Sequence, residues 1–133
     1  LLKMNLLITT FLPLSLFLCG IFPVVFSQGN MMDKIPKDKM LTCAAQTGVT
    51  PSDFQNKKET DNPSEKMLCF GRCLGKSLGI IKSNGQLDLA KMKKFSPPDL
   101  PKDALEKADK CLRTVGIIKT CQDMKKVHQC IPH

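Results

Sequence analysis

Hydrophobic and polar residues follow the period of an α-helix along most of this chain, and no stretch shows the strict alternation that is typical of a β-strand. The clearest example runs from Met67 to Ile81, where apolar residues recur at spacings of three and four and form a single stripe. Proline and glycine divide the rest of the chain into short helical segments. The pattern therefore predicts an all-α protein.

Six helices are predicted from these segments and from the residues at their ends. Thr50-Pro51 and Asn62-Pro63 each place a capping side chain before a proline, and an acidic residue follows in the first turn. We expect each pair to start a helix. The predicted helices cover 38–46, a segment starting at 51, a segment from 63 to 81, and the segments 88–95, 101–116 and 120–129.

The N-terminal segment is much more apolar than the rest of the chain. Lys3 precedes an apolar run from Leu6 to Phe26, which is the pattern of a cleaved secretory signal peptide. A retained membrane anchor is the alternative, because the run approaches the ~20 residues that span a bilayer. Its two prolines and the lack of a basic flank argue against an anchor. We predict a signal peptide over residues 1–27 and one secreted, extracellular domain over residues 28–133.

Removal of the signal peptide takes away Cys19 and leaves six of the seven cysteines. An even number of cysteines in a small secreted chain indicates disulfide bonds. Cys69 and Cys73 are four residues apart on the striped helix, so their Cβ atoms lie ~5 to 6 Å apart, beyond the ~4.5 Å reach of a disulfide. Cys121 and Cys130 are also too far apart if the last helix is continuous. The other pairings stay open.

Two alternatives use Cys69 and Cys73 differently. A zinc site with His128 as a third ligand is compatible with the cysteine spacing, although that spacing alone is weak evidence. A redox pair would require Cys-x-x-Cys in a different setting. Because a secreted chain favours disulfides over both alternatives, we expect no metal and no cofactor.

The charge balance and the residue types narrow the class of function. Without Lys3, the net charge of +8 becomes +7. The lysines are interleaved with acids, and Phe54, Phe70 and Phe95 are the only aromatic residues after the signal peptide, so stacking platforms for nucleic acid are missing. The chain has only two histidines and shows no catalytic arrangement of Ser, His and Asp. We therefore expect no nucleic-acid binding and no enzymatic activity.

The cysteine spacing as a whole is more specific than any one pair. It reads Cys43-x25-Cys69-x3-Cys73-x37-Cys111-x9-Cys121-x8-Cys130. This resembles the six-cysteine signature of insect odorant-binding proteins of the pheromone/general odorant-binding type, which places three residues between the second and third cysteines and eight between the last two. The resemblance extends over nearly all of residues 28–133.

The resemblance implies a compact bundle of about six helices around an apolar cavity. It also implies three interlocked disulfides, which are Cys43–Cys73, Cys69–Cys121 and Cys111–Cys130. Members of the family carry small hydrophobic ligands, such as odorants, pheromones or other lipophiles, through aqueous fluid, in olfaction toward odorant receptors. The expected partners are a small hydrophobic ligand and an odorant receptor or membrane surface, and the expected state is a monomer or weak dimer.

The apolar stripes indicate candidate residues for the cavity lining. Ordinary core packing is the alternative for each of them. The candidates are Phe70, Leu74, Leu78, Leu89, Met92, Leu105, Ala108, Met124, His128 and Ile131. Because the chain has neither Trp nor Tyr, we expect an aliphatic, Met-rich cavity that accepts flexible aliphatic ligands.

His128 is the candidate whose side chain type titrates near neutral pH. Some members of the family release their ligand in a pH-dependent manner, so a pH switch is one interpretation of this residue. An ordinary exposed histidine on a helix is the other.

A different class of function is also compatible with the charge and the size. A secreted, cationic, disulfide-rich protein of the defence or venom type would act on membranes or on a protein partner. The apolar stripes do not require that function.

Overall fold

The computed structural model describes residues 31–132, apart from the side chains of residues 31, 32 and 60. The predicted signal peptide, residues 1–27, lies outside the described residues. Within them, a 3-10 turn at Met31–Lys34 precedes seven α-helices. These are α1 (Lys37–Thr47), α2 (Pro51–Gln55), α3 (Lys57–Asp61), α4 (Glu65–Ser77), α5 (Leu89–Lys94), α6 (Lys102–Leu112) and α7 (Met124–Cys130).

The all-α class is confirmed. The only β pairing between residues 31 and 132 is one isolated antiparallel bridge, which joins Ile81 to Leu87. Two predicted helix starts are also present. Thr50 donates its backbone N–H to the Asp53 carboxylate over 2.7 Å, and the Asp88 side chain accepts the N–H of Lys91 over 3.1 Å.

The second predicted helix is divided into α2 and α3, which is why the described residues hold seven α-helices where the pattern predicts six. Asn56 separates the two helices with an extended backbone. Its side chain accepts the N–H of Lys58 over 3.0 Å and so caps α3. Asparagine side chains compete with the backbone for such bonds, which favours a break at this position.

Two helix starts lie later than the pattern predicts. α4 begins after Ser64 rather than Asn62, and the backbone N–H of Ser64 is bound by the Glu59 carboxylate over 2.9 Å. α7 begins at Met124 because the Asp123 carboxylate accepts the N–H groups of the two residues at 119 and 120, over 2.9 and 2.7 Å, and holds them in a turn. At both sites a carboxylate that binds backbone N–H groups, one at Ser64 and two before Met124, outweighs the apolar periodicity.

α4 ends before its apolar stripe does. The predicted helix continues to Ile81, but α4 ends at Ser77 and Gly79 turns the chain with a φ of 70°. Ile81 then donates its N–H to the carbonyl of Gly75 over 2.9 Å. Ile81 therefore belongs to the core without belonging to the helix.

Most of the buried apolar residues form two clusters. The N-terminal core lies where α1 packs against α4 and consists of Cys43, Val49, Phe70 and Leu74. The C-terminal core lies where α6 and α7 meet and consists of Ile81, Leu112, Val115, Ile118 and Val127. No polar or charged side chain is buried among the described residues, so both clusters are held by apolar contact.

Three disulfides connect the helices. Cys43–Cys73 joins α1 to α4, Cys69–Cys121 joins α4 to the segment before α7, and Cys111–Cys130 joins α6 to α7. These are the pairs that the family resemblance implies. The zinc and redox alternatives are wrong for Cys69 and Cys73, because both sulfurs are bonded to other cysteines.

No helix within residues 31–132 combines the length and the hydrophobicity needed to cross a bilayer.

Gly71 and Gly75 lie on successive turns of α4 and have different surroundings. A Cβ atom at Gly71 would lie 3.5 Å from Met124 Cε, which is an ordinary contact. A Cβ atom at Gly75 would lie 2.7 Å from Ile81 Cδ1 and 2.9 Å from Ile81 Cγ1, so Ile81 would have to move. Substitutions at the two positions therefore distinguish the effect of helix propensity from the effect of core packing.

We expect Gly71→Ala to raise the free energy of unfolding by about 0.5–1 kcal/mol, because alanine restricts the unfolded chain and favours the helix. Gly75→Ala should lower it by about 1–3 kcal/mol, because it overpacks the C-terminal core. Urea unfolding followed by circular dichroism measures both. A change of the same sign in the two variants would contradict this description of the helix.

Candidate functional site

A cavity of about 320 Å³ lies between α4, α7 and the α2–α3 segment. Most of its wall is apolar, and three ionisable side chains also contribute to it. The lining residues are Asp53, Phe54, Glu59, Pro63, Met67, Leu68, Gly71, Met124, Val127, His128 and Ile131. We refer to this space as the apolar cavity.

Helix periodicity explains two of the walls. α4 contributes Met67, Leu68 and Gly71, which lie on one face at spacings of one and three. α7 contributes Met124 and Val127, three residues apart, with His128 beside them. The Cys69–Cys121 disulfide joins α4 to the residues just before α7 and so keeps these two walls together.

Gly71 determines how close the two walls come. Because glycine has no side chain, Met124 Cε lies within 3.5 Å of the position a Cβ atom would take. The residue is therefore a place where a larger side chain would enter the cavity.

An aromatic pair supports the third wall. The Phe54 ring of α2 meets the Phe70 ring edge-on, with 5.3 Å between centroids. Phe70 is buried in the N-terminal core, whereas Phe54 lines the cavity and is 38% exposed. The α2 wall thus rests on a ring that belongs to the core.

Two carboxylates lie at the border of the apolar cavity. Asp53 forms an ion pair with Lys66 at 2.7 Å, and together with the bonds from Thr50 this ion pair lowers the Asp53 pKa to about 2. Hydrogen bonds from Ser64 lower the pKa of Glu59. Both groups are therefore anionic at neutral pH.

A model of the PBP/GOBP family matches residues 28–133. The chain belongs to this family. PBP/GOBP proteins are the insect odorant-binding proteins, which are secreted and bind small hydrophobic molecules. No curated protein and no solved structure matches the chain.

For this PBP/GOBP protein, the candidate lining residues fall in different places. Met124, His128 and Ile131 line the apolar cavity. Leu89, Met92, Leu105 and Ala108 line a smaller cavity of about 40 Å³, between α5 and α6. Phe70 and Leu74 are buried in the N-terminal core. Leu78 is half-buried just past the end of α4 and lies in neither lining.

Several lining residues are not among the candidates, for two reasons. Met67 and Val127 lie on the same apolar stripes as Phe70 and Met124, so helical periodicity is the signal that indicates them. Asp53, Phe54 and Glu59 line the cavity because α2 and α3 fold over it, and no local pattern predicts that.

The described residues contain no group of three or more His, Cys, Asp or Glu side chains that is arranged to hold a metal ion.

The lowered pKa of Asp53 predicts a pH-dependent contribution to stability. The carboxyl group has a folded pKa of about 2 against an ordinary value of 3.8. Its charge therefore stabilises the fold above the ordinary pKa, and the contribution disappears as the pH falls through about 2. We expect Asp53→Asn to be destabilising at neutral pH and to approach the wild type in strong acid.

Urea unfolding of the two proteins at a series of pH values measures the difference. Asp99→Asn, in the exposed loop before α6, is a control that should show little change at any pH. A destabilisation by Asp53→Asn that stays constant down to strong acid would show that packing, rather than charge, is responsible.

Proposed function

We propose that this protein is a secreted carrier that binds small hydrophobic ligands in the apolar cavity and transports them through aqueous fluid. In olfactory tissue the destination would be an odorant receptor. Membership of the PBP/GOBP family supports the carrier role. The observation that carries the assignment to this site is an apolar cavity of about 320 Å³ between α4 and α7, with a disulfide that joins α4 to Cys121 just before α7.

The lining suggests the ligand class. Cavities that bind small molecules measure about 300 to 1,000 Å³, so a cavity of about 320 Å³ favours ligands at the small end of that range. Met67 and Met124 are flexible enough to adapt to ligands of different shape. Each buried CH₂ group contributes about 0.8 kcal/mol, and about ten of them would give the ~8 kcal/mol of a micromolar complex.

The border of the cavity suggests a preference among polar head groups. Asp53 and Glu59 are anionic, and like charges repel a ligand carboxylate. Their oxygens accept hydrogen bonds, which suits a ligand hydroxyl. We therefore expect aliphatic alcohols to bind more tightly than acids of the same chain length.

Displacement of a fluorescent apolar probe tests the site. Gly71→Leu should weaken binding of an aliphatic alcohol about tenfold or more, because its side chain would occupy space in which several CH₂ groups of the ligand would otherwise be buried. Gly71→Ala is the matched control and should retain nearly normal affinity. Equal affinity in wild type and Gly71→Leu would place the ligand elsewhere.

Native mass spectrometry and liposome leakage distinguish the carrier function from the defence or venom function. A carrier should co-purify with lipophiles in native mass spectrometry and leave anionic liposomes intact. Leakage from such liposomes, together with no probe binding, would favour the membrane-active alternative.

His128 lines the apolar cavity and is half-buried. A positive charge in this lining would disfavour an apolar ligand, so a release switch of the kind found in some members of the family would lower the affinity between about pH 7.5 and pH 5. The other charged groups around the cavity are Asp53, Glu59 and the Lys66 partner of Asp53. We expect ligand affinity to fall over this pH range in the wild type.

The affinity of His128→Gln should be nearly constant over the same range. Probe titrations of both proteins at matched ionic strength measure the effect. An equal decrease of affinity in the two proteins would show that a group other than His128 causes the pH dependence.

A further inference from the structure

A second concave region lies beside α4 and has a different character from the apolar cavity. It is a groove of about 610 Å³ between the end of α1, α4 and Cys121. We call it the basic groove. Its lining residues are Gln46, Thr47, Cys69, Arg72, Cys73, Lys76, Ser77 and Cys121, none of which lines the apolar cavity.

The charge of the basic groove is entirely positive. Arg72 and Lys76 line it, and no Asp or Glu does. Lys39 of α1 adds a third cation, because its Nζ donates to the carbonyl of Ser77 over 2.6 Å. Arg72 and Lys76 are one turn apart on the same helix, where their like charges repel each other.

Arg72 is the most informative of these residues. Its Nε is buried and has no hydrogen-bond partner among the described residues. The ion pairs in this part of the chain involve Lys66, Lys93 and Arg113 rather than Arg72. A buried guanidinium N–H without an acceptor is rare, and because Nε is covered, an ion in the groove would bind the terminal NH₂ groups of the same guanidinium.

We propose that the basic groove binds a phosphate group. The planar fork of Arg72 fits two phosphate oxygens, and Lys76 and Lys39 add charge that balances a dianion. The hydroxyl of Ser77 and the amide of Gln46 are further donors in the lining. Because the groove of about 610 Å³ is wide, the phosphate can be free or part of a larger molecule such as a lipid head group.

This proposal is independent of the carrier function, because the groove and the apolar cavity share no residue. Binding of the apolar probe therefore reports correct folding in every variant used to test the groove.

Two titrations distinguish the sources of the phosphate. In the first, inorganic phosphate is added to ¹⁵N-labelled protein, and the Nε–H signal of Arg72 is followed by NMR alongside calorimetry. In the second, the protein is mixed with vesicles of phosphatidylcholine alone and of phosphatidylcholine with phosphatidylglycerol. The variants are Arg72→Gln, Arg72→Lys and, as the control of equal charge change, Lys107→Gln on the exposed side of α6.

We expect wild type and Lys107→Gln to bind with similar affinity and Arg72→Gln to bind about tenfold or more weakly, as the loss of a charge-assisted bond implies. Arg72→Lys should be intermediate, because lysine keeps the charge without the fork. Binding of inorganic phosphate identifies a soluble ligand, and binding of only the anionic vesicles identifies a lipid head group. Absence of binding in both titrations, or equal losses in Arg72→Gln and Lys107→Gln, would overturn the proposal.

Discussion

The helix α4 is fixed to the rest of the protein by two disulfides, and both cores and both concave regions depend on its position. Cys73 bonds Cys43, 30 residues earlier, and Cys69 bonds Cys121, 52 residues later. In the chain-entropy description, closing loops of this size stabilises a fold by about 3–4 kcal/mol each. The Asp123 carboxylate holds the turn that carries Cys121, because it accepts backbone N–H groups of the same segment. Covalent and local polar constraints thus compensate for a core that is divided into two small clusters.

The features that the sequence predicts well are those encoded by local spacing. The apolar stripe predicts α4, Thr50 and Asp88 predict helix starts that are present, and the cysteine spacing predicts the family. The errors occur where one side chain competes with a periodic pattern, as at Asn56 and Asp123. The cavity lining is predicted less well because a stripe shows which face of a helix is apolar but not what that face meets. Leu74 and Met124 both belong to stripes, yet one is packed in a core and the other lines the cavity.

Positive and negative charges have different roles in this fold. The carboxylates with lowered pKa are used locally: Asp53, Glu59 and Asp123 accept hydrogen bonds at turns and helix starts, and Asp109 pairs with Lys93 and Arg113. These are four of the twelve acidic residues of the chain, and no acidic residue lines the basic groove. The basic groove is a concave region in which cations line the wall without a carboxylate, so a small part of the excess of basic residues lies there.

The three walls of the apolar cavity are not equally anchored. α4 is joined by a disulfide to Cys121 just before α7, and α7 is joined by another to α6. The segment from 50 to 61 contains no cysteine and is held by the Asp53–Lys66 ion pair, the Glu59–Ser64 bond and the contact of Phe54 with Phe70. Segments held by few contacts open locally at a lower free energy than the whole protein. Under the proposed carrier function, opening of α2 and α3 would set the rate at which a ligand enters and leaves, while the disulfides stay intact. Residence time and equilibrium affinity would then be governed by different parts of the same small protein.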